Sequence, residues 1–590
     1  MCVWVYVTYA CFDEKTGHGE VGLVRHRTCK DFNRTLQPCG VPIIPPIPCI
    51  KLCVTGIIAG NTVKDAPAAP ILQRGPAQNN TPNCVDPKRF ITVSTLTGPI
   101  IGHVAPNTSC VVEYLGIPYA KPPVGQLRFA PPVPLHHRKI AYVASNFGYD
   151  CPLTPSSPVD YPGYTPQAPR IIRYYTSGAG NPQSEDCLTL NIWSKSTPKS
   201  VAKKKPVIVF FYGGRFTTGN TNTPMYNGKH LADAEDVIVV TVNYRINIFG
   251  FPGAPGTLPN LGLRDQRAAV EWLRQNIANF GGDINRIILT GQSAGGVAVD
   301  YWAYTYKNSP IAAGLIMSSG NSWSFPVISK ETATNNWNAV VNALGCNSTD
   351  TEQTLTCMRS QPWTAIKDAA ATIRPRPSSS VLRSVPPFYP TPDGEIVFAN
   401  YTSLTERCEF ARLPILIGSN ANEAGFYRIS LYGNTGTQPT QEQVNSFHLE
   451  SFTCPAAYQA SARRGCGVPA WVYRYNADWP NTRLYEGSGA YHGVDLHMIF
   501  GASEDTSGLP TTREQRELTK LMQRAWATFA ADPWEGLRRE FRWPKWEGRG
   551  ETNVVIELGK GNQPRVEYGG GDQYGVSCEN VTLGALGTSA

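Results

Sequence analysis

The feature that most constrains this chain is a series of short, fully apolar runs, each cut off by glycine or a polar turn. "KKPVIVFFYGGRF", "EDVIVVTVNYRI", "RIILTGQSAGG", "AAGLIMSSG", "RLPILIGSN" and "PAWVYRYNA" show no alternation of polar and apolar positions. Such strands have to be covered on both faces. Between them, "RDQRAAVEWLRQNIANFGGD" places Ala268, Ala269, Trp272 and Ile277 at helical spacing, with Gly281-Gly282 as a stop. Buried strands alternating with helices predict an α/β fold, a mainly parallel sheet with helices on both faces. Ahead of them, "RFITVSTLTGPIIGHV" reads as a hairpin turning at Thr97-Gly98-Pro99.

Composition narrows the class. The chain has 590 residues, 41% hydrophobic and 17% charged, which suits a globular protein. Its net charge of +8 is spread thinly, and Lys203-Lys204-Lys205 reads as a solvated turn before a strand. Without RNA-type motifs or basic-aromatic stripes, a nucleic-acid partner is not expected. Sixteen cysteines form no paired C-x-x-C pattern, so a metal cluster is not expected. Together with sequons at Asn33, Asn79, Asn107, Asn347, Asn400 and Asn580, they predict a secreted protein with disulfides. The opening "MCVWVYVTYACFDEK" lacks a basic n-region and a clean cleavage site. "VPIIPPIPCIKLCVTGIIAG" is broken by prolines and a lysine, so no integral membrane segment is expected.

Residues 1–85 hold seven of the sixteen cysteines, are rich in proline and show no sustained strand or helix period. They read as a leader or a misassigned upstream segment in preference to a small disulfide module. "KDAPAAPILQRGPAQNNTPN" reads as a linker, and residues 86–590 as the main domain.

Within that domain, Gly291-Gln292-Ser293-Ala294-Gly295 has the Gly-x-Ser-x-Gly form of a nucleophile elbow. Ile287-Ile288-Leu289 supplies the strand before it, and a helix is expected from Val297 onward. A sharp strand-to-helix turn strains its central residue, which explains the small neighbours. A serine hydroxyl needs a base. Of the histidines after Ser293, His448 lies in a polar stretch without a glycine turn, and His497 sits in an apolar segment as a packed residue. His492 is followed by Gly493 on a loop after "WVYRY" and is the choice. Glu423, just beyond "LPILIG", is the candidate acid. The glycine pair of "FFYGGRF" and the N–H of Ala294 are candidate oxyanion donors.

These residues resemble the type-B carboxylesterase/lipase family, the cholinesterase-like α/β hydrolases, in its fungal branch. The likeness runs from about Phe90 to the C-terminus through "EYLGIPYAKPPVGQLRFAPP", "SEDCLTLNIW", "NYRINIFGFP", "GQSAGG", "NANEAGFY" and "AYHGVDLHMIFG". The resemblance implies an α/β-hydrolase fold and no cofactor. It implies Ser293 as nucleophile, Glu423 as acid and His492 as general base. Oxyanion donors would be the N–H groups of Gly214, Arg215 and Ala294, and Ser319 would hydrogen-bond the acid. Disulfides would join Cys151 to Cys187 and Cys346 to Cys357, leaving Cys110, Cys408, Cys454, Cys466 and Cys578 unassigned.

Three departures stand out. Arg215 occupies a position that is small in many relatives, so it either restricts or recruits acidic substrates or points to solvent. Gly180 stands where cholinesterases carry the tryptophan that holds choline, which excludes a cholinesterase. Gln292 replaces the glutamate usual beside the nucleophile. The expected activity is serine hydrolysis of neutral carboxylic esters, small-molecule or lipid. A true interfacial lipase is the alternative, and a non-catalytic adhesion protein a remoter one. The lid loop, from Cys151 to Cys187, contains no long amphipathic helix, although Ile171-Ile172 and its tyrosines are available to lipid. Phe216, Trp323, Phe325 and Tyr427 are candidate pocket aromatics. Oligomeric state is not legible.

Overall fold

The computed structural model describes residues 3–12, 19–28, 91–196, 203–375, 380–547, 553–570 and 578–586. The chain divides into two compact units, Met1–Asn80 and Thr81–Ala590. In the first, β1 (Val3–Phe12) and β2 (Gly19–Thr28) pair antiparallel, Val3 opposite Thr28 and Phe12 opposite Gly19. This corrects the expectation of no strand period there. "VWVYVTYACF" is dense in β-branched and aromatic residues, and that propensity is enough to form a strand without strict alternation. The linker and the remaining N-terminal cysteines lie outside the described residues.

The second unit is built on one thirteen-stranded sheet. It opens with β3 (Ile91–Thr95), β4 (Gly98–Val104), β5 (Val111–Pro118), β6 (Tyr142–Val143) and β7 (Thr189–Lys195). Next come β8 (Lys205–Phe211), β9 (Ile238–Val242), β10 (Gly282–Gln292), β11 (Gly314–Ser318), β12 (Ile415–Asn420) and β13 (Ala470–Tyr475). β14 (Val554–Leu558) and β15 (Val566–Gly570) close it. The centre runs β9-β8-β10-β11-β12-β13-β14, all parallel. Antiparallel strands flank it: β15 on one side, and β7, β5, β4 and β3 on the other. Every residue of β8, β9, β11 and β12 is buried, so both faces of the centre are covered. This is the predicted α/β architecture, and the apolar runs without alternation are its physical cause.

Local boundaries differ in small ways. The helix Leu261–Asn276 stops before Gly281-Gly282, continues as a tighter turn over Ile277–Phe280, and yields to the left-handed Gly281. Gly282 already belongs to β10. In the hairpin, Gly98 and Pro99 are the first residues of β4, so the turn itself is Leu96-Thr97. Lys205 is no solvated turn residue. Its stem is buried at the start of β8, and its ammonium sits 2.9 Å from Asp236.

The disulfides Cys151–Cys187 and Cys346–Cys357 are both formed. Two more join Cys408 to Cys466 and Cys454 to Cys578. The last closes a separation of 124 residues, and loop closure of that size removes roughly 5 kcal/mol of chain entropy from the unfolded state. Beyond it the C-terminal segment returns to the sheet's upper side. Gly584 N–H donates to the Glu450 carbonyl (2.7 Å) and Ala585 N–H to the Trp323 carbonyl (3.1 Å).

Asp150 precedes the first disulfide and is buried, with Oδ2 accepting from Asn181 at 3.1 Å. Burial pushes its carboxyl up from 3.8 to about 7. A carboxyl raised by folding binds more protons in the native state, so its contribution to stability falls as pH rises from about 4 to about 7. Urea unfolding of wild type and Asp150→Asn should converge at the acid end. Towards neutral pH the asparagine variant should gain on wild type by a few kcal/mol, on the order of the raised pKa. A pH-independent difference would remove Asp150 as the cause.

Candidate active site

The candidate residues gather at the carboxyl ends of consecutive parallel strands, the edge at which open α/β sheets place their ligands. β10 ends at Gln292, and Ser293 follows at φ 56° and ψ −124°. The helix Ala294–Thr305 begins at once, three residues earlier than the sequence suggested, because Ser293 is itself the turn. The small neighbours have a steric reason. A Cβ on Gly291 would strike the Gly295 carbonyl, and one on Gly295 would strike the Phe211 carbonyl. Gly214 and Arg215 follow β8, and both have positive φ. The backbone N–H groups of Gly214, Arg215 and Ala294 find no protein acceptor among the described residues.

Glu423 follows β12 and is fully buried. Its Oε1 accepts from the Ser319 hydroxyl and from the Asn420 N–H, each at 2.7 Å. Its Oε2 lies 2.6 Å from Nδ1 of His492, on the long loop after β13. The carboxylate can only accept, so Nδ1 carries the proton and Nε2 the lone pair, as assigned from this network. Nε2 lies 3.0 Å from the side-chain nitrogen of Gln292, which donates to it. Tyr427 and Phe452 pack against the imidazole, with ring centroids at 5.0 and 5.3 Å.

Ser293 and Tyr427 both line the two recesses at the site. Ser293 and His492 line one recess but make no direct bond in this state, a common looseness before substrate arrives. The two rejected histidines are poor bases. Burial pushes His448 down to about 4 and His497 down to about 3. Among the described residues, no group of three or more His, Cys, Asp or Glu forms a metal site.

Two recesses meet at Ser293. The smaller, about 390 Å³ with its mouth, is lined by Ala294, Phe325, Pro326, Val385 and Tyr389 among others. The larger, about 1350 Å³ with its mouth, carries Gly213, Gly214, Thr218, Asn220, Gln292 and His492. Phe325 and Tyr427 are pocket aromatics as expected. Phe216 instead packs on Phe251 and Tyr389 in the core, and Trp323 is buried with its indole N–H 3.3 Å from Gln459. The role of Tyr427 beside the serine was missed. A clue was present, since it sits four residues after Glu423, one helical turn along Ala424–Thr435.

Ser319→Ala removes one of two bonds to a buried charged oxygen. Thermal unfolding should report a loss of about 1.5–3 kcal/mol. A loss near zero would mean that the Asn420 N–H holds Glu423 unaided.

The family model described as "Carboxylesterase family" matches residues 89–451. The chain is 33% identical over 492 residues to chlorogenic acid esterase of Aspergillus niger, covering 80% of this chain and 91% of that protein. It is 32% identical over 503 residues to secreted lipase 5 of Gibberella zeae, covering 80% and 90%. Among solved structures, a PNB esterase superposes with a TM-score of 0.68 at 27% identity, covering 85% of this chain and all of that one. With likeness on that scale, the chain belongs to the carboxylesterase family and is a carboxylic ester hydrolase.

Proposed function

We propose that Ser293, Glu423 and His492 are the catalytic triad of a secreted esterase acting on soluble carboxylic esters. The single observation that carries this reading is the 2.6 Å bond from Glu423 to Nδ1 of His492, with the carboxylate itself fastened by Ser319 and Asn420. A carboxylate fixed this way sets the imidazole tautomer and stabilises its cationic form.

Nε2 of His492 first leaves Gln292 and turns to the Ser293 hydroxyl. The serine oxygen then attacks the ester carbonyl as Nε2 takes its proton. The carbonyl π-electrons move to oxygen, and the free N–H groups of Gly214, Arg215 and Ala294 stabilise that oxyanion. On collapse the alkoxide takes the proton from His492 and leaves as the alcohol. Water then repeats the sequence on the acyl-enzyme, releasing the acid and restoring Ser293.

Soluble esters are favoured over an oil interface by the lid loop between Cys151 and Cys187. Its one helix, Ala168–Tyr175, is eight residues long. Ala168 and Ile171 are buried against the body, while Arg170 and Arg173 face solvent. Ile171 is therefore not available to lipid. No helix among the described residues is long and apolar enough to cross a membrane. Secretion is supported by the disulfides, by the relative named a secreted lipase, and by exposed sequon asparagines at 107, 347, 400 and 580.

The test is hydrolysis of 4-nitrophenyl esters from acetate to palmitate, with chlorogenic acid added because a relative is named for it. Wild type should favour the short esters. Ser293→Ala should lower kcat by about 10⁶ and Glu423→Gln by about 10⁴. A folded Ser293→Ala protein with wild-type rates would overturn the mechanism. A jump in rate above a substrate's solubility limit would transfer the enzyme to the lipases. No labelling of folded wild type by a fluorophosphonate probe would favour a binding role.

A further inference from the structure

Arg215 is an odd residue to find beside a serine that attacks esters. Its backbone is left-handed, at φ 58°, and its side chain turns inward. Arg215, Ser293, Leu382, Ser384 and Tyr427 are the residues shared by both recesses. The guanidinium therefore stands at their junction, next to the position of the scissile carbonyl.

Its bonding is incomplete. A guanidinium has five N–H groups. Nη2 donates to the carbonyl and the hydroxyl of Ser384, while Nε and Nη1 have no hydrogen-bond acceptor among the described residues. No carboxylate pairs with Arg215 among the described residues. Neither recess is lined by a single Asp or Glu, whereas Arg215, Arg383 and His492 all line one or both. Arg383 differs in having its own carboxylate, Glu450, at 3.6 Å. Burial pushes the Arg215 guanidinium down from its usual pKa, with the Tyr427 and Tyr389 hydroxyls opposing the shift. Even so lowered, arginine stays charged in proteins.

A cation partly desolvated in a pocket without a counter-ion gains from an anion delivered by the ligand. Arginine's planar fork matches a carboxylate in particular. We propose that Arg215 makes this enzyme selective for esters that carry a carboxylate close to the scissile bond, held by the Nε and Nη1 edge. This rests on the serine-esterase reading above and adds the substrate class to it. The carboxylate has two possible sources, because Arg215 borders both recesses. His492 must protonate the leaving alkoxide, so the alcohol half belongs on the His492 side of Ser293 and the acyl half on the other. An anionic alcohol and an anionic acid would therefore approach Arg215 from opposite sides.

The test compares kcat/KM for matched pairs. On the acyl side these are 4-nitrophenyl hemisuccinate against 4-nitrophenyl valerate. On the alcohol side they are 4-acetoxybenzoate against its methyl ester. Each rate is corrected for uncatalysed hydrolysis. The readout is the anionic-to-neutral ratio, so any loss common to both esters cancels. Wild type should prefer the anionic member of one pair through a lower KM, and the pair that responds identifies the half. Arg215→Gln should reduce that ratio roughly ten- to a hundredfold, the worth of a charged hydrogen bond. Arg215→Lys should keep part of it. Should the glutamine variant not fold, the wild-type ratio and its decline in high salt decide the matter alone. Equal or lower rates for both anionic esters, or a ratio unmoved by Arg215→Gln, would overturn the proposal. If activity instead survives Ser293→Ala, it is the serine mechanism that has failed, whichever way the ratio moves.

Discussion

A serine at φ 56° and ψ −124° is held there only because its surroundings leave no alternative, and the whole site depends on that one strained residue. Its N–H donates to the Ser318 carbonyl at 2.8 Å, and its carbonyl accepts from Val297 at 2.9 Å. One bond belongs to the neighbouring strand β11 and the other to the following helix. The turn is thus clamped between two regular elements. Behind it, the register of β10 with β8 and β11 sets Gly291 beside Phe211 and Gln292 beside Ser318. The pairing that stacks the apolar core also fixes how far the serine stands above the sheet. Catalytic placement and core packing are here one constraint.

Charge at the site is arranged as economically as the backbone. Glu423 is the carboxylate behind the imidazole, and Gln292 puts a neutral amide beside it. The nearby Asp495 accepts from Asn420 (3.1 Å) and from the Tyr473 hydroxyl (3.1 Å). Burial, with the Glu423 charge adding to it, pushes Asp495 up to about 6. A protonated Asp495 spares Glu423 a like-charged neighbour, and at higher pH its two donors offset that repulsion. The recess in front of the imidazole is lined by no Asp or Glu. Arg215 therefore meets no carboxylate of the protein in either recess.

The sheet was legible because fully apolar runs admit few folds. That Ser293, Glu423 and His492 gather at one site was legible because each lies at a strand end, in a fixed chain order. What sequence could not supply was anything set by side-chain direction. Arg215 read equally well as solvent-facing or site-facing, and the Ser384 contact that turns it inward is 169 residues away. Phe216 and Trp323 looked like pocket aromatics, yet they are core residues, since an aromatic next to a functional loop has no sequence mark of which way it faces. The cysteine pairs Cys408–Cys466 and Cys454–Cys578 depend on three-dimensional proximity that spacing does not encode. The N-terminal strand pair escaped because cysteine and proline content dominated the reading of that region.

The Cys454–Cys578 bridge and the segment after it bear on how the enzyme can be handled. The final described residues bond to Glu450, whose carboxylate meets Arg383, and to Trp323, two residues before Phe325. Both Arg383 and Phe325 line the smaller recess. The segment after Cys578 thus packs behind Arg383 and close to Phe325, at the back of the smaller recess. A reducing host that left the bridge unformed would loosen that backing as well as lower the yield.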